Sequence, residues 1–440
     1  MFNIKKYIVL FFSLIIILTL SLSGGILYSQ DLDQKNNNVE NFPLAITGSE
    51  GDYPYPIMQP DYETRKEWIG NIKEAPQTKI IEEAIRLTGI NVSLIDHLDY
   101  VPVERNQGAC GNCWVWAGTG VMEVALDVEE AIKDRLSIQY LNSNYKNGTP
   151  GDWAGCGGTL RAFADFYASA GIAIPWSNTN AYYQDHRQGY WDGTSVPAGI
   201  ISTVPNYPIS GIGEQYIPTY NINQSMAISN IKNIINQDKA IWFAFWLPNS
   251  TSWNNFFDFW DVGTENAAYN FDYVNGLPYT SSGGGHAVLC IGYDDTDPAN
   301  SYWIMVNSWG TTANRTNGIF HVDMDLNYNN ADSQGYANLS WETLDMGYAG
   351  TVPVTSITVT GAGGATTVAN GGTLAMNAAV LPVNATDPSV KWSVKAGTGT
   401  ATIDAVSGVL AATGVGTVTV TATAKDGSRI KGTKVITIIP

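Results

Sequence analysis

Hydrophobic and polar positions follow different rhythms along the chain. Near the start, Lys5 and Lys6 precede an apolar run, YIVLFFSLIIILTLSL, from Tyr7 to Leu22. The polar, Asn-rich stretch DLDQKNNNVENF follows and reads as a flexible linker. From Asp61, DYETRKEWIGNIKEAPQTKIIEEAIRLTG repeats apolar residues at spacings of three and four, broken by Pro76 and stopped by Gly89. That rhythm predicts helix. The large block 91–349 begins in the same manner. Cys113–Lys133 lacks proline and places Trp116, Val121, Val124, Ala125 and Val128 on a long buried helix, and further helices are predicted over TLRAFADFYASAG and MAISNIKNIINQ. The rhythm then changes to strands: AIWFAFWL, GHAVLCIGY, SYWIMVNSW and GIFHVDM. Helices first and strands afterwards give an α+β block with two halves. From Val352 the pattern shifts again, to short Val/Thr/Ile runs of period two punctuated by Gly and Asn, the mark of an all-β sandwich over 352–440.

A chain of 440 residues exceeds one ordinary core, in keeping with these divisions. The short basic head and apolar core read as a secretory signal over residues 1–30; stretched through Gly24–Tyr28, the same run is long enough to remain as an anchor. Either way the remainder is exported, secreted or held at the cell surface. A net charge of −17 argues against nucleic acid as a partner, since phosphates repel such a surface. The helical stretch before residue 91 stands where a removable prosegment belongs, giving linker and short prosegment over 31–90; a permanent N-terminal extension is the other reading.

Only four cysteines occur, Cys110, Cys113, Cys156 and Cys290. NQGACGNCWVW carries two of them three apart, and four chemistries compete for that pair. A structural zinc site needs a second close pair, which is missing. A thioredoxin-like couple follows a strand in a βαβ unit, and no such strand precedes this one. A simple structural staple stays open. Nucleophilic catalysis asks for a thiol at a helix N-terminus, an imidazole, a group that orients it and donors for an oxyanion. Cys113 opens a helix; His286 follows a triple glycine that lets its ring stand at a surface; Asn307 ends an apolar strand; Gln107 lies six residues before Cys113. Cys290, inside an apolar strand, reads as a small buried hydrophobe. His97, His186 and His321 lack a partner pattern. DMDLNYN begins like a calcium loop but lacks the required Gly and Glu, so no metal is expected.

With GHAVLCIGY and YWIMVNSWG downstream, QGACGNCW resembles the papain family of cysteine peptidases. The resemblance covers about 91–349 and implies a two-lobed fold, a helical lobe and then a β-barrel-like lobe, with a cleft between them. It implies Cys113 as nucleophile, His286 as acid and base, Asn307 as its orienter, Gln107 in the oxyanion hole and Trp309 covering Asn307. LSIQYL and GCGG match further family elements; by that match Cys110 pairs with Cys156 in a disulfide, and the backbone of Gly157 and Gly158 pairs with an extended substrate. No cofactor is implied, and the partners are protein or peptide substrates. Departures are visible too: Asn112 replaces the usual small residue between the cysteines, one residue is missing before the glycine pair, and FDFWDVGTENAAYNFDYVNGLPYTSSGGG reads as an insertion. The C-terminal segment resembles the bacterial immunoglobulin-like group 2 module, whose functional reading is contact with a cell surface or carbohydrate and whose bland reading is a passive stalk. The leading expectation is an exported, prosegment-bearing cysteine endopeptidase. A catalytically silent surface protein and a transpeptidase using the same residues are the alternatives.

Overall fold

The apolar rhythms become elements in a computed structural model that describes residues 54–81, 90–350, 352–426 and 428–440. The signal run, the Asn-rich linker and the predicted helical stretch 82–89 lie outside the described residues. Six α-helices are described: α1 (Tyr62–Ile72), α2 (Cys113–Glu130), α3 (Ile138–Asn144), α4 (Leu160–Ala170), α5 (Gln224–Ile235) and α6 (Ser250–Val262). Their starts are polar for a physical reason. Asp61, Ser137, Thr159, Asn223 and Asn249 each accept a backbone N–H of the first turn, satisfying a donor the helix itself cannot. Asn112, ahead of α2, makes no such side-chain cap.

The strands of this block are β1 (Asn91–Ser93), β2 (Ile172–Ala173), β3 (Tyr207–Tyr216), β4 (Ile241–Leu247), β5 (Ala268–Tyr269), β6 (Gly284–Asp294), β7 (Tyr302–Val306), β8 (Ile319–Asp323) and β9 (Leu339–Tyr348). They form one sheet in the order β2-β3-β9-β4-β6-β7-β8-β5, with β1 also on β6. β4 and β6 are its centre, antiparallel with Phe245 opposite His286, and almost every residue of both is buried. Strands buried along both faces require cover on both sides. Helix α2 supplies it on one side and is therefore buried nearly all round, Cys113 to Gly120 included. Helical packing around α2 and the sheet beyond it make the two halves expected.

Two elements run against the sequence reading. The segment that reads as an insertion from Phe257 starts within the second half of α6, a helix the sequence reading did not mark, which buries Trp253, Phe256, Phe257 and Trp260; their spacing of three, one and three is helical. Strands β3 and β9, unremarked in the sequence, pair along their length and fix the edge of the sheet.

The C-terminal segment makes β10 (Ser356–Gly361), β11 (Thr367–Ala369), β12 (Thr373–Leu381), β13 (Val390–Ala396), β14 (Thr400–Ile403), β15 (Val409–Gly414), β16 (Gly416–Ala424) and β17 (Lys431–Ile439). Two four-stranded sheets, β10-β12-β15-β14 and β11-β17-β16-β13, enclose a separate core with Trp392, Leu410, Val420 and Ile436. Period two holds in β16, where Val418, Val420 and Ala422 face inward.

Segment 54–60, PYPIMQP, lies extended against the central sheet. Met58 and Gly285 exchange both backbone hydrogen bonds at 2.8 Å. Helix α1 follows and is tied to the same body by fully buried Arg65. Its guanidinium meets the Asp332 carboxylate at 2.6 Å and donates to Asn338 Oδ1 at 3.0 Å. It also lies over the Tyr279 ring, 4.2 Å from the centroid. Further on, Thr78 N–H bonds the Tyr216 carbonyl and Asn233 clasps the backbone of Ile81.

Candidate active site

Cys113 is the first residue of α2, where unpaired N–H groups and the aligned peptide dipoles make the local field positive. Its sulfur accepts the backbone N–H of Ala287 at 3.4 Å, so the thiol sits against the residue that follows His286. Strand β6 carries that histidine, and the end of β7 carries Asn307 beside it. His286 Nε2 and Asn307 Oδ1 are 2.8 Å apart. The direction of this bond can be deduced. Asn307 Oδ1 also accepts the Ser308 backbone N–H at 2.8 Å, which fixes that atom as oxygen, so His286 Nε2 must be the donor. Nδ1 is then the unprotonated nitrogen of the neutral ring, and it is buried without a hydrogen-bond partner. A base facing no other acceptor or donor is what a neighbouring thiol needs.

Gln107 is set by equivalent logic. Its Nε2 donates to the Cys110 carbonyl at 2.7 Å, and its Oε1 accepts the Ser308 hydroxyl at 2.5 Å. The amide cannot flip without placing two acceptors together. Gln107 N–H also bonds the Ser308 carbonyl at 2.8 Å, so Ser308 grips both backbone and side chain. The second Nε2 hydrogen faces the Pro56 carbonyl of the extended segment at 3.5 Å. Sequence reasoning passed over Ser308; its place between Asn307 and Trp309 in NSW was the available signal.

Trp309 stacks on the His286 ring, centroids 4.2 Å apart and planes 23° from parallel. Its other contacts are aromatic: Tyr55 at 4.6 Å and Phe256, Phe257 and Trp260 of α6. The structure thus brings Cys113, His286, Asn307, Gln107 and Trp309 together. Gly157 and Gly158 lie beside them: Gly157 has φ +94° and faces the Met58 side chain, while a Cβ on Gly158 would strike the Trp114 ring at 2.6 Å. A cavity of about 270 Å³ opens past these glycines, lined among others by Asp61, Trp68, Lys146 and Cys156.

Two expectations need correction. The triple glycine was expected to leave His286 at a surface, yet the ring is fully buried. The cause is local: Trp309 covers it, and the Met58–Gly285 pairing lays segment 54–60 over the adjoining strand. Burial accordingly pushes the Cys113 thiol up to about 12 and the His286 imidazole down to about 3, the bond to Asn307 opposing the latter. Both groups are neutral in this arrangement. Nor do Cys110 and Cys156 pair; all four cysteines are free thiols. Cys110 is buried near Asn142 Nδ2, while the Cys156 sulfur faces the Trp153 N–H at 3.4 Å and the Tyr190 carbonyl at 3.7 Å, so the two sulfurs look into different surroundings. The residue missing between Cys156 and the glycine pair accompanies that change.

The other histidines are engaged elsewhere: His97 Nδ1 with Asp127 at 2.8 Å, His186 Nδ1 with the Asn106 carbonyl at 3.2 Å and His321 stacked on Tyr302 at 4.0 Å. Cys290 is fully buried in β6, as expected. Among the described residues, no cluster of His, Cys, Asp and Glu could hold a metal ion.

The family model for papain family cysteine proteases matches residues 95–338, more than half of the chain, and that for the bacterial Ig-like domain (group 2) matches 353–435. Fruit bromelain from Ananas comosus is 24% identical over 288 residues, 63% of this chain and 69% of its own length. The senescence-specific cysteine protease SAG12 of Arabidopsis thaliana is 24% identical over 243 residues, 54% of this chain and 56% of its own length. Among solved structures, a recombinant stem bromelain precursor aligns with a TM-score of 0.42 at 20% identity, over 62% of this chain and 74% of that one. Through its central block, this chain belongs to the papain family of cysteine proteases.

Proposed function

We propose that the chain is the latent precursor of an exported cysteine endopeptidase, with Cys113 as nucleophile, His286 as acid and base, Asn307 as orienter and Gln107 as oxyanion donor. The observation that carries this is the His286 hydrogen-bond pattern. Nε2–H is committed to Asn307, leaving Nδ1 as the only basic nitrogen, in the residue next to the one that touches the Cys113 sulfur. In the uncovered enzyme Nδ1 takes the thiol proton, and the helix terminus and the new imidazolium favour the thiolate. The sulfur attacks the scissile carbonyl; its oxygen gains negative charge and is met by Gln107 Nε2–H and the Cys113 backbone N–H. The imidazolium returns its proton to the leaving amine, and a thioester remains. Water, losing a proton to Nδ1, then hydrolyses it.

Latency follows from segment 54–60. The leaving amine has to pass on the His286 side of the sulfur, so a productive substrate runs with its N-terminal half along Gly157 and Gly158 and its C-terminal half toward Trp309. Segment 54–60 runs the other way, with Tyr55 on Trp309 and Gln59 and Pro60 in the cavity beside Gly157. A reversed chain offers its carbonyls to the oxyanion donor without placing a leaving amine at the imidazole. Activation requires removal of this segment, with the cut around residues 85–95. Export rests on the basic head and apolar run at the start of the sequence, and the Ig-like domain is read as a stalk at the cell surface. Intact-mass analysis of the full chain and of Cys113→Ala under reducing conditions tests the processing step: truncation of the first alone supports self-processing, and equal truncation of both contradicts it.

A further inference from the structure

The Tyr55 ring lies flat on Trp309, with centroids 4.6 Å apart and planes 15° from parallel. Phe257 closes a second side at 5.8 Å. The phenol ends on a carboxylate, its hydroxyl donating to Asp261 Oδ1. Burial and that facing carboxylate both push the phenol's ionisation up, so the group is held as a donor. Phe257 and Asp261 come from one face of α6, and neither takes part in the thiol chemistry. Trp309 is shared: it also stacks on His286, which places this pocket one aromatic layer from the imidazole.

We propose that Trp309, Phe257 and Asp261 form a specificity subsite on the leaving-group side of the cleft, built for a tyrosine within the first two residues after the scissile bond. Tyr55 occupies it in the precursor. The inference deepens the peptidase reading and rests on it. A flat ring fits the floor and wall, where an aliphatic chain leaves the indole face partly uncovered. The carboxylate supplies the selection. With tyrosine it keeps a hydrogen-bond donor after water has left; with phenylalanine it is desolvated and unpaired.

The test compares peptides that differ only at the first or the second residue after the cut, carrying Tyr, Phe, Leu or Arg there. At one of the two positions kcat/KM is expected to favour Tyr over Phe by about tenfold, and Asp261→Ala is expected to bring that ratio to about one. Cleavage with a Tyr-to-Phe ratio under about twofold at both positions, or with Arg preferred, overturns the subsite and leaves the peptidase intact. Absence of cleavage of every peptide strikes at the peptidase reading itself, and the pocket is then read without turnover. In the full chain, alkylation of Cys113 by iodoacetamide is followed by peptide mass mapping. Tyr55→Phe and Asp261→Ala should each speed it by about tenfold, and the double variant no further, since both remove one contact. Unchanged or fully additive rates overturn the assignment.

Discussion

Replacing Arg65 by Met removes the fully buried charge that ties α1 to the peptidase body. Arg65 is fully buried and its partner Asp332 is 1% exposed, so Arg65→Met leaves a carboxylate without a cation away from water. Breaking a buried pair from one side costs about 3–5 kcal/mol. Here the cost is reduced because Asp332 Oδ1 also accepts the N–H groups of Gln334 at 2.9 Å and Tyr336 at 3.0 Å, which continue to solvate it. Loss of the guanidinium stack on Tyr279 works in the opposite direction. A net effect of about 2–3 kcal/mol corresponds to a roughly 30- to 150-fold larger population of opened α1. Hydrogen exchange of the amides in Tyr62–Ile72 measures it, in a Cys113→Ala background that prevents processing. The internal control is Lys66→Ala, which removes the exposed pair with Glu63 and should change exchange by less than about twofold. Arg65→Met/Asp332→Leu should recover part of the loss, since it removes both charges. Exchange of α1 unchanged within about threefold in Arg65→Met would refute the reasoning.

Other consequences can be checked separately. In the precursor the thiol of Cys113 is neutral up to about 12, so its alkylation rate should rise about tenfold per pH unit through pH 9 with no plateau; after removal of the cover, the rate should level off from about pH 5. A pH–rate series on both forms decides this. Asn307→Ala frees the imidazole from its tautomer and should lower kcat about 10- to 100-fold with little change in KM, measured by steady-state kinetics. At Gly108, φ is +61° and a Cβ would lie 2.1 Å from the His186 carbonyl oxygen, so Gly108→Ala must displace the loop that carries Gln107. Both a lower Tm and a loss of about 100-fold in kcat/KM are expected.

Much of the molecule could be read from its pattern because the period was clean. The apolar run of β4 and the helical spacing behind Cys113 admit one interpretation each, and the Cys, His, Asn and Gln positions carry a recognisable signature. Other elements were hidden for physical reasons. Strand β3 is glycine-rich and only partly buried, while β9 buries Ser340, Glu342 and Thr343 among its apolar residues, so neither shows a simple alternation. Helix α6 was obscured by its aromatic density, and its helical period shows only when the spacing of Trp253, Phe256, Phe257 and Trp260 is counted. PYPIMQP has no period at all; its meaning arises from the Met58–Gly285 pairing, a contact between residues far apart in sequence. The Cys110–Cys156 pairing was implied by resemblance alone, and both cysteines are free in this structure.

The most direct test of the central claim is hydrolysis of a mixed fluorogenic peptide library, in reductant, by residues 31–440 and by the same chain with Cys113→Ala, with the mass of each protein recorded before and after. The account predicts cleavage by the first once its cover is removed, and none by the second. Equal cleavage by both, or none by an uncovered protein that retains Cys113, would contradict it.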